Sequence, residues 1–256
     1  MSTLADSLKT LGLRGLAAQL DDVIALATKK RWGPAELLEH LADVESKDRA
    51  KRSFERRFAR SRISGFKAVA DFDWAWPKRI DREALEDALR LDFVRDARNL
   101  ILVAPPGLGK TTLAKNIAHQ AILGGHSVLF TTAAQLLLDL AAQDSPRALE
   151  RRLRHYCRPA LLVIDEVGYL NHDNRSADLL FEIASRRYEK KSIVLTTNLP
   201  FRDWHSVFPN AACVTALIER LIHHADVIPI EGHSYRRRDA EVSNAAKADR
   251  AAKKRA

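Results

Sequence analysis

Cysteine and long apolar runs are what this chain has least of. Only two cysteines occur in 256 residues, Cys157 and Cys213. They are too few and too far apart for a disulfide framework or a thiolate metal site, and read as two reduced thiols of a cytoplasmic protein. No stretch of about 18 uninterrupted apolar residues exists, which argues against a membrane span or a membrane partner. The opening residues, Met1-Ser2-Thr3-Leu4-Ala5-Asp6, lack a basic segment followed by a long apolar one, so no secretory signal is expected. No internal repeat is evident.

What is present is a composition of 46% hydrophobic and 29% charged residues, enough for one large domain plus a small one. The net charge of +9 is unevenly placed. Between Lys47 and Lys67 nine basic residues face only Asp48 and Glu55, and from Arg236 onward eight basic residues face three acidic ones. A near-neutral body with two basic segments suggests a polyanion, most simply nucleic acid.

The N-terminal region reads as helical. Leu13, Leu16, Leu20, Ile24 and Ala27 recur at spacings of three and four, with a break expected at Gly12 or Gly15, and a second helix follows Gly33-Pro34 with Leu37, Leu38, Leu41 and Val44 on one face. This helix runs on into the basic stretch. There Arg49, Arg52, Arg56 and Arg60, joined by Lys51 and Arg57, form a stripe that suits the phosphates of duplex DNA, and the scarcity of stacking aromatics disfavours single strands. A solvated helix face is the alternative. Residues 65–80, with Phe66, Phe72, Trp74 and Trp76 ending at Pro77, read as an extended linker. The expected domains are therefore 1–64, helical and basic; 65–80, the linker; 81–238, the catalytic body; and 239–256, a basic disordered tail.

The body carries the chemistry. Leu100-Ile101-Leu102-Val103 reads as a buried strand that breaks at Ala104-Pro105-Pro106-Gly107-Leu108-Gly109 and gives way to a helix starting Lys110-Thr111-Thr112. This is the layout of a phosphate-binding loop. The loop from Pro106 to Thr112, through the backbone N–H groups of Gly107 onward and the helix N-terminus, would cradle a polyphosphate, Lys110 would reach the β and γ phosphates, and Thr111 would ligate Mg²⁺. The pattern G-x-x-x-x-G-K-[ST] places its first glycine at position 104, where this chain has alanine. A second apolar strand, Leu161 to Ile164, ends in Asp165-Glu166. The first carboxylate is assigned to metal and the second to activation of the attacking water. Further strands are expected at 127–131, 193–197 and 227–230, giving a five-stranded parallel sheet flanked by helices. Asn198, at the tip of the fourth strand, is placed to reach the γ phosphate or the water, although an asparagine before Leu199-Pro200 also suits a turn. His223-His224 invites a metal reading, but neither a nearby cysteine nor a helical H-x-x-x-H spacing supports it, and a plain helix face is expected.

The set APPGLGKT, LLVIDEVGYL, LTTNLPFRDW, LIERLIHHADVI and EGHSYR resembles the IstB/DnaC-like AAA+ ATPases, most of all the transposition helpers of insertion sequences. The resemblance covers nearly the whole chain. It implies a P-loop AAA+ core behind a small helical domain, with ATP and Mg²⁺ as cofactors. Lys110 and Thr111 would be Walker A, Asp165 and Glu166 Walker B, Asn198 the sensor, and Arg220 an arginine finger acting in a neighbouring subunit. It also implies assembly into rings or spirals on duplex DNA and cooperation with a transposase. The chain runs only a little past Tyr235-Arg236, so no C-terminal lid is expected, although Arg236 could approach the nucleotide. A helicase loader and a nucleotide-gated scaffold without catalysis are the rival readings.

Overall fold

The computed structural model describes residues 3–168, 174–208, 211–235 and 238. Two compact units are distinguished, Met1–Arg57 and Phe58–Ala256. The basic tail from 239 onward, expected to be disordered, lies outside the described residues, as does Arg236.

The first unit contains helices α1 (Leu4–Thr10), α2 (Arg14–Ala18) and α3 (Leu20–Lys30), and most of α4 (Pro34–Ser61). Thr3 starts α1 with a reciprocal cap: its hydroxyl accepts the Asp6 N–H at 3.3 Å, and the Asp6 carboxylate accepts the Thr3 N–H at 3.1 Å. The expected break between the first helices falls at Gly12, whose φ is +79°. Gly15 serves a different purpose. A Cβ there would lie 2.3 Å from Asp48 Cβ, so the absence of a side chain lets α2 approach α4. The buried positions are Leu16 and Val23, whereas Ile24, expected on the same face, is 50% exposed. A further break at Gln19, between α2 and α3, shifts the phase of that face.

Glu45, only 6% exposed, is the polar centre of this unit. Its carboxylate accepts the Leu16 N–H at 3.1 Å, Arg49 Nε at 2.8 Å and an Arg52 guanidinium nitrogen at 3.2 Å. The hydrogen bond from Arg49 leads in holding the Glu45 carboxyl below its ordinary range. A carboxylate so depressed contributes stability above its ordinary pKa of 4.5 and loses it as the pH falls through the lower folded value. Hydrogen exchange of the Leu16 amide, corrected for intrinsic rates, should therefore lose protection on acidification below that range. Glu45→Gln should lower the protection already at neutral pH and flatten its acid dependence.

The second unit is built on a six-stranded sheet in the order β1-β6-β2-β5-β4-β3: β1 (Arg79–Ile80), β2 (Asn99–Val103), β3 (Val128–Thr132), β4 (Leu161–Val167), β5 (Ser192–Thr197) and β6 (Ala225–Glu231). The five strands read from the sequence are present and mutually parallel. The sixth, β1, pairs antiparallel with β6 and comes from the stretch expected to be a linker. Helices cover both faces. On one, Ile101, Leu129, Leu162, Ile164, Ile193 and Leu195 pack with α8 (Ala133–Ala141), α9 (Pro146–Cys157), α10 (Asn174–Arg187) and α11 (Ala211–Ile222). The alternate strand residues, including Leu100, Leu102, Leu161 and Val163, are buried on the other face, where α7 (Lys110–Leu123) lies on the sheet and against α5 (Arg82–Arg90). The short α6 (Asp92–Arg95) leads into β2.

Arg187, at the end of α10, is 1% exposed and donates to five carbonyls: Tyr156, Cys157, Pro159, Ala160 and Ser192. It caps the C-terminus of α9 and ties the turn before β4 to the start of β5. Burial pushes its pKa down to about 10, still well above neutral pH. Arg187→Leu leaves those carbonyls unsatisfied and is expected to cost about 3–5 kcal/mol in chemical denaturation. Arg187→Lys keeps the charge without the planar fork and should recover only part of the loss.

Candidate active site

β2 lies between β5 and β6, and the loop at its carboxyl end opens beside the ends of β4 and β5, the edge where parallel sheets bind ligands. Two glycines make the loop possible. Gly107 and Gly109 have φ of +85° and +84°, and a Cβ at either would clash, with Ser234 Oγ at 2.1 Å and with Phe72 Cε2 at 2.6 Å respectively. Ala104 needs no such freedom. It is absent from the positive-φ positions, its methyl is buried, and its N–H donates to Thr197 O at 3.1 Å. The alanine therefore leaves the loop geometry intact.

After Gly109, α7 begins with no side-chain cap, so its first N–H groups are left to a ligand. Lys110 turns back over the loop and donates to Ala104 O at 2.6 Å and Pro105 O at 3.0 Å. The Thr111 hydroxyl lies 2.9 and 3.1 Å from the two carboxylate oxygens of Asp165. That hydroxyl and carboxylate are hard oxygen donors of the kind Mg²⁺ takes.

The two carboxylates near the end of β4 part company at a bulge. The β4–β5 register shifts between Ile164 and Val167, and Glu166 has φ of +62°, which turns its side chain out to solvent at the site while Asp165 stays buried. Thr196, fully buried, links the Asp165 side chain to the Glu166 backbone. Its hydroxyl donates to Asp165 and accepts the Glu166 N–H at 3.0 Å. Sequence reasoning missed Thr196, although a hydroxyl within the apolar run of β5 was a visible signal. The Asn198 side-chain oxygen is buried and has no hydrogen-bond partner.

A cavity of about 280 Å³ is lined by Pro106 to Thr112, Glu166 and Asn198, and Asp165 bonds the Thr111 hydroxyl beside it. The remaining wall is unexpected. It comes from Lys67, Asp71, Phe72, Asp73, Trp76 and Pro77 of the expected linker and from Tyr235. Trp76 donates its indole N–H to His233 O at 2.8 Å and meets Tyr235 edge-on, with centroids 5.7 Å apart. Arg238 lies 4.6 Å from the Trp76 ring centroid and pairs with Asp73 at 3.5 Å. Residues 72–77 are thus part of the site, and the density of aromatics there was the signal for it.

The model of the IstB-like ATP binding proteins matches residues 6–243. The chain belongs to that family. Among its IstB-like relatives, the ATP-binding protein of insertion sequence IS21 from Pseudomonas aeruginosa is 35% identical over 90% of this chain and 86% of its own length. That of IS5376 from Geobacillus stearothermophilus is 34% identical over 81% and 83%. The IstB-like core also shares its fold with the solved structures of DnaI (TM-score 0.51, 20% identity, 64% of this chain and 90% of that one) and of DnaA bound to AMPPCP and single-stranded DNA (TM-score 0.50, 20% identity, 59% and 45%).

Arg220 is not among the residues lining the cavity. It is half-buried on α11, with its guanidinium 5.4 Å from the ring centroids of both Phe181 and Tyr188. The basic stripe is also less available than its sequence suggests. Arg49 pairs with Glu45, Arg52 with Glu45 and Asp48, and Arg57 donates to Ser53. The acidic partners sit one helical turn back, just outside the stretch over which charge was counted or at its very start. Lys51, Arg56 and Arg60 are exposed.

Proposed function

We propose that this IstB-like ATP-binding protein hydrolyses ATP at subunit junctions, oligomerises on duplex DNA and acts with the transposase of its insertion sequence. One observation carries the hydrolytic reading: the uncapped start of α7, Thr111 with Asp165 bonded to its hydroxyl, Glu166 and Asn198, whose buried side-chain oxygen has no partner, are gathered at a single cavity that Thr111, Glu166 and Asn198 line. In this reading Lys110 exchanges its loop carbonyls for the β and γ phosphates, and Thr111 and Asp165 hold Mg²⁺. The ion, when bound, neutralises phosphate charge. Glu166 accepts the proton of the attacking water, Asn198 orients that water, and Trp76 and Tyr235 offer aromatic surface to the base. Arg220, turned away from its own cavity, is left for a neighbour's.

For DNA, the ion pairs of Arg49 and Arg52 narrow the phosphate-binding set to Lys51, Arg56 and Arg60, with Arg57 beside them. Sedimentation and ATPase rate, each with and without duplex DNA, test the proposal together. Duplex should promote both ATP-dependent assembly and turnover. Affinity should fall steeply with salt, and Lys51→Ala with Arg56→Ala should reduce the slope of log K against log salt by about 2. An ATPase indifferent to DNA and a salt-insensitive affinity would reject the DNA-coupled reading.

A further inference from the structure

The fold supplies what the His223-His224 pair lacks in sequence, a third ligand from a different element. Glu189 follows α10 in the left-handed region, with φ of +54°, and faces the turn after α11. One donor atom from each of Glu189, His223 and His224 lies within 4.8 Å of the others, and all three side chains are exposed. His224 Nε2 and Glu189 Oε1 are 3.2 Å apart. Two donors bound to one zinc ion at about 2.0 Å in a tetrahedron are separated by about 3.3 Å, so this pair already stands at a ligand edge.

The frame beneath the three residues is rigid. The turn carrying Glu189 hangs on Arg187, whose backbone carbonyl accepts the N–H groups of Lys190 and Lys191 at 2.9 Å and whose side chain is locked into five carbonyls. The histidine turn is fixed to the sheet by the Asn99 N–H, which donates to His224 O at 2.7 Å, and by the Asn99 amide, which donates to Leu221 O at 3.0 Å. The Tyr188 hydroxyl bonds Nδ1 of His223 and sets that ring, the kind of outer support that metal-ligating histidines need. Small rotations of exposed side chains on fixed backbones suffice to close the remaining distance.

We infer that Glu189, His223 and His224 form a binding site for a divalent transition-metal ion of the zinc class, two imidazoles and one carboxylate leaving a fourth position for water. The site is separate from the Mg²⁺ position at Thr111 and Asp165, which offers oxygen donors alone. It does not depend on the proposed ATPase. Tyr188, which supports His223, also carries the Arg220 guanidinium on its ring, so the ion would stiffen the surface on which that arginine rests.

The test uses the full chain without an affinity tag, titrated with Co²⁺, whose visible absorption reports coordination where zinc is silent. One equivalent should bind with a ligand-field band, and Zn²⁺ should displace it. Lys110→Ala and Asp165→Asn should leave the band unchanged. His223→Asn with His224→Asn should abolish it. Glu189→Gln should weaken binding at least about tenfold, since loss even of an outer-shell partner costs about that much. No band in the wild-type chain, or a band that survives the double histidine replacement, overturns the site. Unchanged affinity in Glu189→Gln overturns the three-ligand assignment, and this variant alters only an exposed side chain, so the answer does not hang on the folding of the histidine variant.

Discussion

Arg220→Ala is expected to lower ATP turnover by on the order of 10³-fold while nucleotide affinity of the isolated chain stays within a few-fold of wild type. The expectation follows from where the side chain rests. It lies over Phe181 and Tyr188, away from the cavity that holds Lys110 and Glu166. A guanidinium so placed cannot stabilise transition-state charge in its own site, but one presented by a neighbour can. Mixing decides the matter. Arg220→Ala retains an intact site, and Glu166→Gln retains an intact finger, so a mixture of the two inactive variants should regain activity at those junctions that pair them. A purely structural arginine predicts a lower denaturation midpoint and no recovery on mixing.

Glu166→Gln is expected to reduce turnover by on the order of 10³-fold with ATP binding preserved. The residue owes its position to the β4 bulge, which exposes it at the site, and to the Thr196 hydroxyl that fixes its N–H. Glutamine fits the same backbone and keeps the shape of the side chain but cannot accept the proton. Lys110→Ala should behave in the opposite way, losing on the order of 100-fold in affinity, because a charge-assisted contact to phosphate is removed. Nucleotide binding by a fluorescent analogue, alongside single-turnover hydrolysis, separates the two. Equal losses of binding in both variants would remove Glu166 from the water-activating role.

The parts of this site that were legible in the sequence are those contiguous in it. Lys110 and Thr111 follow a buried strand and two glycines, and Asp165-Glu166 ends another. Local pattern is enough to place each of these at a strand end. What escaped depends on the third dimension. Phe72, Trp76 and Tyr235 meet the loop only because β1 pairs with the end of β6 and brings their segments together, a two-residue pairing that no periodicity announces. Thr196 reads in the sequence as one more residue of a buried strand, and only the fold sets its hydroxyl between the Asp165 carboxylate and the Glu166 N–H. The basic stripe shows a different limit. Its spacing was right, but Glu45 and Asp48 lie at the same spacing, so part of the charge is consumed inside the helix and its neighbour. The third member of the histidine cluster was equally invisible, because Glu189 reaches it from the turn after another helix.

The two-residue strand has a further effect, on the outer border of the sheet. β6 would otherwise offer a row of open amides and carbonyls to any extended chain, the usual route to unwanted sheet-to-sheet joining. Here the far end is occupied by Arg79–Ile80, Pro229 removes a donor from the remaining length, and Asp226 adds a charge that pairs with Arg98. In the proposed assembly, copies that gather must not polymerise through their backbones. With this border blunted, the proposed assembly would have to meet there through side chains.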